Sequence, residues 1–212
     1  MHPALALGIA YLAGSVPSAY LAGRALKGVD LRTIGSGNLG ATNVYRNLGK
    51  TAAVVVLLLD ALKGALPVAL LPSRLDPAYL TVENAGLWWG LGFGIAAIAG
   101  HSKSIFLLWK GGGKGVATAA GVFAAIAPTA LAACFIVFVV VLWRSHIVSL
   151  ASVAAAFTLP FGVALSLGLS SPVFVVAVAI AVFVIWSHRT NLQRLRAGTE
   201  PRITDSPSEG AR

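Results

Sequence analysis

The sequence predicts an all-α integral membrane protein, a polytopic bundle of helices. Hydrophobic residues make up 57% of its 212 residues, only 11% of the residues are charged, and the mean hydropathy is +0.83. A soluble domain carries roughly 25% charged residues. A helix needs about 20 apolar residues to cross the hydrocarbon layer, and several stretches of this chain are that long. Most of the surface is therefore expected to face lipid.

Six apolar blocks set the order of the predicted helices. The first is too long, and too often interrupted by Gly, Ser and Pro, for the apolar core of a signal peptide, so it is retained as a span. The fourth is too short for two full spans, which need about 40 residues, but Pro128 near its middle predicts a break into two short helices. We therefore expect seven transmembrane helices. The blocks cover residues 4–23, 52–72, 84–108, 116–143, 147–168 and 172–187.

The basic residues predict the orientation. The net charge is +9, and most of the 16 Lys and Arg residues flank apolar blocks, which indicates cytoplasmic loops rather than a nucleic-acid surface. These residues share one side only if block 116–143 crosses and returns, which places the N-terminus outside and the C-terminus in the cytoplasm. Residues 1–196 are predicted to form one membrane domain whose polar segments lie at the cytoplasmic face. Residues 197–212, rich in Arg, Pro, Ser, Glu and Gly, are predicted to be a disordered tail.

The segment 35–46, GSGNLGATNVYR, forms the first candidate site. Its glycines allow backbone N–H groups to converge on an anion, especially where a helix begins, and Arg46 adds a guanidinium fork suited to phosphate. A solvated loop with a helix cap is the alternative, but it accounts for one short polar residue rather than four. The candidate phosphate-binding residues are Ser36, Gly37, Asn38, Thr42, Asn43 and Arg46.

A second glycine-rich segment, KGGGKG at 110–115, also precedes a predicted helix. Gly112, Gly113 and Lys114 are its candidate phosphate-binding residues. The segment lacks the spacing of a P-loop, and no strand precedes it. Loops of Gly and Lys are common on the cytoplasmic side, so this segment alone is weak evidence for a phosphate site. The evidence becomes stronger because the first segment is predicted to lie on the same membrane face. Two anion sites predict two phosphorylated substrates.

Two polar pairs follow in the last helices. Ser149 and Ser152 are three residues apart and share a helix face. His188 and Asn191 are also three residues apart and could point together into a site. Serines in membrane helices also bond to their own backbone, and a histidine can cap a helix end, so both interpretations stay open.

Other chemistry-bearing residues are assigned supporting parts. Asp60 and Lys63, three apart in an apolar helix, can neutralise one another, and we expect them to orient or support rather than to catalyse. His101 is explained at least as well by packing as by catalysis. Cys134 is the only cysteine, and no grouping of His with carboxylates indicates a metal site. No Ser-His-Asp nucleophile pattern and no cofactor motif is found.

In order along the chain, these segments resemble the bacterial acyl-phosphate-dependent glycerol-3-phosphate acyltransferases, the PlsY family. The likeness rests on residues 35–46, 110–118, 148–152 and 188–191, with DALKG at 60–64 and GH at 100–101, and it covers residues 1–196. Members are similar seven-helix inner-membrane proteins. The chain departs from the usual pattern at Gly111–Gly113, since the family commonly has two glycines between these lysines.

The resemblance implies an enzyme that moves a fatty acyl group from acyl phosphate to the 1-hydroxyl of glycerol 3-phosphate. The products are lysophosphatidic acid and phosphate, in the first step of phospholipid synthesis at the bacterial inner membrane. No cofactor or metal is expected; the implied partners are both substrates, the bilayer and the soluble enzyme that supplies acyl phosphate. The residues implied to bind phosphate are Ser36, Thr42, Asn43, Arg46 and Lys114, and Ser149 is a further candidate for this role. The residues implied at the reacting centre are Ser152, His188 and Asn191, together with Lys114 and Arg46.

Two other classes of function fit parts of the sequence. A transporter of phosphate or of an organophosphate ester would also use glycine loops and cations. It predicts polar groups near the bilayer midplane and a related second half, whereas these motifs gather at one face. A scaffold without activity would leave the Ser, Asn and Thr residues of 36–43 unexplained.

Overall fold

The computed structural model describes residues 1–205, and these residues form ten α-helices without a strand. The predicted all-helical architecture is therefore confirmed. Three single 3₁₀ turns, Pro72–Arg74, Pro77–Tyr79 and Ile105–Leu107, lie between helices. The α-helices are α1 (Pro3–Ser15), α2 (Ser18–Lys27), α3 (Ala41–Leu48), α4 (Lys50–Leu70), α5 (Ala85–Ser102), α6 (Val116–Ile126), α7 (Pro128–Ser145), α8 (Val148–Leu167), α9 (Pro172–Ser187) and α10 (Arg189–Arg196).

Five helical stretches among these residues are long and apolar enough to cross a bilayer. A sixth candidate is α9 continued by α10 across a bend of 55°. The helix α6 has only 11 residues, about 16 Å at 1.5 Å per residue, whereas the hydrocarbon layer is ~30 Å thick. The seventh span thus stays a prediction. The five stretches are Pro3–Lys27, Lys50–Leu70, Ala85–Leu107, Pro128–Ser145 and Val148–Leu167.

Block 116–143 is broken at the predicted proline. Helix α6 ends at Ile126, and Pro128 is the first residue of α7. Proline is favoured there because its missing N–H group would have no helical partner and its φ angle is already helical. The chain also divides at this point into two compact units, a first unit of Met1–Ile126 and a second unit that begins at Ala127.

Small residues let the helices of the first unit approach closely. A β-carbon on Gly14 of α1 would lie 2.1 Å from the carbonyl oxygen of Ala97 in α5. One on Gly121 of α6 would lie 1.9 Å from the carbonyl oxygen of Ala61 in α4. Only glycine therefore fits at these two positions. Such close approach of helix backbones is typical of helix pairs in membranes, where packing replaces the hydrophobic effect as the force that joins helices.

One apolar cluster in the first unit anchors both glycine-rich segments. Leu31 and Leu39 belong to the first loop, residues 28–40 between α2 and α3, and both side chains are buried. Leu107 lies just before the second loop, residues 108–115 between α5 and α6. Because these leucines share one cluster, burial of apolar surface places the two loops next to each other. The cluster consists of Ala19, Leu31, Leu39, Val44, Ala53, Val56 and Leu107.

In the second unit α8 packs between α7 and α9, and α10 contacts both α8 and α9. The chain after α10 turns at Gly198, whose φ is +69°, and residues 199–205 lie beside the start of α8. The N–H group of Ile203 donates to the carbonyl of His146 at 2.7 Å. Of the tail predicted to be disordered, residues 206–212 lie outside the described residues.

Candidate active site

Two glycines give the first loop its shape. Gly35 and Gly37 have φ angles of +59° and +67°, which residues with a β-carbon rarely adopt, so the predicted need for glycine is confirmed at both positions. Gly40 differs from them, because its φ is −123° and it serves as the N-cap of α3 without a side-chain hydrogen bond. The positive end of the α3 dipole therefore has no side-chain cap from this residue, an arrangement that suits an anion.

Asn43 holds the first loop together. Its side chain is almost completely buried, and its Oδ1 accepts hydrogen bonds from the Ser36 N–H group at 3.1 Å and from Asn47 Nδ2 at 3.0 Å. Its Nδ2 donates to the carbonyl oxygens of Leu31 at 3.1 Å and Ile34 at 3.2 Å. Both amide hydrogens are thus used inside the loop. The structure thus gives Asn43 a supporting part in the loop, and its predicted contact with phosphate stays a prediction.

Two of the predicted N–H donors are also turned inward. The N–H group of Gly37 donates to the carbonyl of Ile34, and that of Gly113 to the carbonyl of His101, both at 3.1 Å. These bonds fix the backbones of the loops. In this conformation the two N–H groups are therefore used within the protein and do not donate to an anion. Polar side chains remain accessible here, since Ser36 of the loop is exposed, and Asn38 of the loop and Thr42 in the first turn of α3 are half-buried.

The two loops contact each other directly. The N–H group of Leu39 donates to the carbonyl oxygen of Gly112 at 3.2 Å, across more than seventy residues of sequence. Arg32 adds a second link, since its guanidinium donates to the carbonyl of Lys110 at 3.0 Å. The two predicted anion sites are therefore neighbours at one end of the first unit.

Asp30 keeps Arg32 in place between the loops. Its carboxylate accepts from Arg32 Nη2 at 2.7 Å and from Arg32 Nε at 3.0 Å, a two-pronged contact. These hydrogen bonds from Arg32 hold the pKa of Asp30 at about 2, and the carboxylate in turn raises the pKa of Arg32. A carboxyl group with a lowered pKa stabilises the fold above its ordinary pKa and loses that contribution as the pH falls towards 2. The link between the loops is thus intact at neutral pH.

The two predicted cations lie at the ends of these elements. Arg46 is in the last turn of α3 and is half-buried, and Lys114 precedes α6 and is also half-buried. Both belong to the first unit, as do all candidate residues from Ser36 to Lys114.

The second unit brings Ser149 and Asn191 together through Glu200, a residue that the sequence analysis missed. Ser149 Oγ donates to Glu200 Oε1 at 2.7 Å, and Asn191 Nδ2 donates to the same oxygen at 2.5 Å. Arg194 Nε donates to Oε2 at 2.7 Å. Burial raises the pKa of Glu200, but the three hydrogen bonds outweigh burial and hold this pKa below its ordinary value. A carboxylate soon after His188 and Asn191, among arginines, is the signal that could have identified it.

Ser152 and His188 bond to their own helices. Ser152 Oγ donates to the carbonyl of Val148 at 2.9 Å, one of the two alternatives that the sequence left open. His188, buried at the end of α9, has its Nδ1 2.7 Å from the carbonyl oxygen of Val184. A carbonyl only accepts hydrogen bonds, so Nδ1 carries the hydrogen, and in a neutral ring Nε2 is then the acceptor.

Within residues 1–205 no three His, Cys, Asp or Glu side chains are grouped closely enough to hold a metal ion. The cations Arg46 and Lys114 and the polar loop residues instead suit anionic groups.

The chain is similar over nearly all of its length to known acyltransferases. A family model described as glycerol-3-phosphate acyltransferase matches residues 4–198. A glycerol-3-phosphate acyltransferase of Synechococcus sp. (strain CC9902) is 49% identical over 201 residues, 94% of each chain. One of Geotalea daltonii is 46% identical over 191 residues, 90% of this chain and 92% of the relative.

Solved structures give the same result. The crystal structure of PlsY, an integral membrane glycerol 3-phosphate acyltransferase, in its glycerol 3-phosphate form matches with a TM-score of 0.81 and 35% identity. The alignment covers 94% of each chain, and the lysophosphatidic acid form matches with a TM-score of 0.80. The predicted membrane class, all-helical and with multiple spans, is therefore confirmed.

Proposed function

We propose that the two adjoining glycine-rich loops hold the phosphate groups of two substrates at once. The chain itself belongs to the glycerol-3-phosphate acyltransferase family. The observation that carries the proposal is the hydrogen bond from the Leu39 N–H group to the Gly112 carbonyl. It makes the two anion sites neighbours, as a transfer between two bound phosphorylated substrates requires. Arg46 and Lys114 supply the positive charge, and Ser36, Asn38 and Thr42 supply neutral hydrogen bonds.

The reaction is acyl transfer from acyl phosphate to the 1-hydroxyl of glycerol 3-phosphate. The hydroxyl oxygen attacks the acyl carbonyl carbon, the bond from that carbon to the phosphate oxygen breaks, and lysophosphatidic acid and inorganic phosphate leave. The structures described as glycerol 3-phosphate and lysophosphatidic acid forms of PlsY support this choice of acceptor and product. Acyl phosphate is an activated mixed anhydride, so neither a covalent nucleophile nor a metal is needed.

Holding two anions close together is the main task of the protein. Their repulsion opposes the encounter, and Arg46 and Lys114 neutralise it in fixed positions. Positioning of two reactants offsets ~7–11 kcal/mol of a bimolecular barrier in favourable cases. The loops suit this task because Asn43 and Arg32 fix their backbones with hydrogen bonds that are already formed.

The hydroxyl proton is transferred to a phosphate oxygen of the substrate, while His188 orients the acceptor hydroxyl. The bond from Nδ1 to the Val184 carbonyl fixes the ring, and Nε2 accepts from the hydroxyl when the ring is neutral. Ser152 and Asn191 take part at the reacting centre, and Ser149 and Asn191 are held by Glu200.

The role of His188 can be tested by kinetics. If His188 positions the acceptor, His188→Ala raises the Michaelis constant for glycerol 3-phosphate about tenfold or more, and His188→Gln, which keeps an acceptor, restores part of this loss. If His188 were the general base, kcat would fall instead in both variants. The decrease of kcat at acid pH that the protonation of a histidine base causes would also disappear from their pH profiles. Initial rates over a range of acceptor concentrations and pH distinguish the two.

The membrane arrangement is proposed to be that of an inner-membrane protein with seven spans. The N-terminus is outside, the C-terminus is in the cytoplasm, and both loops open to the cytoplasm. Residues 1–196 form the membrane domain, residues 197–212 form the cytoplasmic tail, and a soluble enzyme delivers acyl phosphate to this face. The acyl chain fits a groove of about 990 Å³ in the first unit, lined by apolar residues of α1, α2 and α4 such as Leu21, Leu59 and Leu66.

The decisive experiment compares acyl donors. Purified enzyme receives glycerol 3-phosphate with acyl phosphate, acyl-CoA or acyl-carrier protein of the same chain length, and the product is identified by mass. Lysophosphatidic acid is expected from acyl phosphate alone, at a rate that a chelator leaves unchanged. Equal rates from acyl-CoA would contradict the proposed donor. Uptake of labelled glycerol 3-phosphate into proteoliposomes without acyl transfer would instead identify a transporter.

A further inference from the structure

A charged cluster is buried in the first unit beneath the second loop. Lys63 Nζ lies 2.8 Å from Asp60 Oδ1 within α4, and His101 Nδ1 of α5 lies 3.7 Å from the same oxygen. The side chains of the three residues are less than a tenth exposed. Lys63 Nζ also donates to the carbonyl of Val16, just after α1, at 2.9 Å. The cluster therefore ties three helices together, and none of the three residues has a part in the proposed reaction.

His101 forms the floor of the second loop. The N–H group of Gly113 donates to the His101 carbonyl at 3.1 Å, so the loop backbone is bonded to the end of α5. A β-carbon on Gly113 would lie 2.0 Å from His101 Nε2 and 2.5 Å from Cε1, so the imidazole ring lies directly against this glycine. The ring thus limits how closely the loop backbone can approach the end of α5 at Gly113, the residue before Lys114.

Stability alone is a poor reason for this cluster. Burying an ion pair costs both charges their hydration, and replacement by apolar residues of similar shape is often neutral or stabilising. Charged residues inside membrane helices are rare and mark functional positions by default. Here the pair adjoins the His101 ring, which lies against Gly113 of the second loop, and this connects the charges to the proposed phosphate site.

We propose that Asp60, Lys63 and His101 are positioning residues for the second loop, and that they set the affinity for the phosphorylated substrate held there without contacting it. The inference rests on the proposed function, since it requires that the second loop bind phosphate. The Asp60–Lys63 pair holds the imidazole, and the imidazole supports the backbone of Gly112 and Gly113. Loss of the ring lets the loop move away from the position that binding requires.

A suppressor experiment in purified, folded enzyme tests the contact between ring and loop. Gly113→Ala alone is expected to raise the Michaelis constant of one phosphorylated substrate about tenfold, because its methyl group strikes the ring. His101→Asn, which removes Nε2 and keeps a polar side chain, raises the Michaelis constant of the same substrate about threefold and leaves kcat within a factor of two. In the His101→Asn background, Gly113→Ala then costs less than a factor of two.

Gly112→Ala is the matched control in the same loop. Its β-carbon would meet the carbonyl oxygen of Ser102 at 2.1 Å, a backbone atom that no change of the ring can move aside. Its effect is therefore expected to be equal in both backgrounds. If Gly113→Ala costs the same factor with and without the His101 ring, the proposal is overturned.

A second route avoids the ring itself. Asp60→Asn combined with Lys63→Met removes both charges, keeps similar shapes and leaves no unpaired charge. It is expected to raise the same Michaelis constant about threefold, and an unchanged value would overturn the part given to the ion pair. Lys114→Ala separates this proposal from the proposed function. If Lys114→Ala and Gly113→Ala both leave the Michaelis constants and kcat unchanged, the second loop binds no phosphate, and both proposals fail.

Discussion

Lys114→Ala and Arg46→Ala are each expected to lower kcat/KM for acyl transfer by about 10²–10³-fold. A donor fixed where charge develops contributes about 3–4 kcal/mol to the transition state, which corresponds to this factor. The effect is largest where two anions must be neutralised together. Initial rates with acyl phosphate and glycerol 3-phosphate, measured in purified enzyme with matched amounts of folded protein, give the ratio.

Substitutions of nearby cations provide the controls. Lys103→Ala and Lys50→Ala each remove an exposed cation of the first unit outside the proposed site, and both variants should stay within a factor of two of wild type. Lys114→Arg keeps the charge but changes its geometry, so partial activity is expected from it. Turnover near the wild-type value in both Lys114→Ala and Arg46→Ala would refute the assignment of the two cations.

Glu200→Gln is expected to lower kcat by about 10–100-fold at neutral pH. The carboxylate accepts from Ser149, Asn191 and Arg194, and the amide can accept only part of these bonds while it turns its NH₂ group towards donors. Hydrogen bonds to a charged group contribute about 1.5–3 kcal/mol each, so their loss releases Asn191 from its fixed position. Steady-state kinetics measure the change in kcat.

Asp205→Asn is the matched control for Glu200. This carboxylate belongs to the same segment but accepts from the N–H group of Arg202 at 2.6 Å, away from Ser149 and Asn191. Its replacement should leave kcat within a factor of two. Wild-type kcat in Glu200→Gln, with the protein folded, would contradict the role of Glu200.

The pH dependence of this contact follows from the lowered pKa of Glu200. A carboxyl group whose pKa is lower in the folded state stabilises that state above its ordinary pKa, and the contribution disappears as the pH falls through the lowered value. The thermal stability of the wild type should therefore fall more steeply than that of Glu200→Gln below about pH 4.5, the ordinary value, and the two should differ by a constant amount above it. Thermal unfolding of both proteins between pH 3 and 8 measures this difference.

Features that depend on neighbouring residues were predictable. The break at Pro128 follows from the covalent geometry of proline, and the left-handed glycines Gly35 and Gly37 follow from the lack of a β-carbon. The pairing of Asp60 with Lys63 needs only one helical turn. Each of these is decided within four residues of sequence, where local sterics dominate.

Contacts between distant segments were not predictable in the same way. Glu200 meets Ser149 across 51 residues, although composition predicts a disordered tail at this position, since composition records charge but not the partners that a fold supplies. The sequence predicts a phosphate contact for Asn43, because a polar residue in a glycine loop suits an anion, but it does not indicate the supporting bonds of this side chain. The carbonyls that occupy its amide group belong to Leu31 and Ile34, and their position depends on the packed loop.

The sequence by itself determined that the chain is an all-helical membrane protein with two glycine-rich, cationic segments, because hydropathy, proline and glycine act locally. Only the tertiary structure decided that Leu39 meets Gly112, that His101 lies against Gly113, and that residues 199–205 return to the start of α8. These contacts depend on close packing of helices and on burial of apolar side chains shared by distant segments. Packing of this kind is a property of the folded chain as a whole.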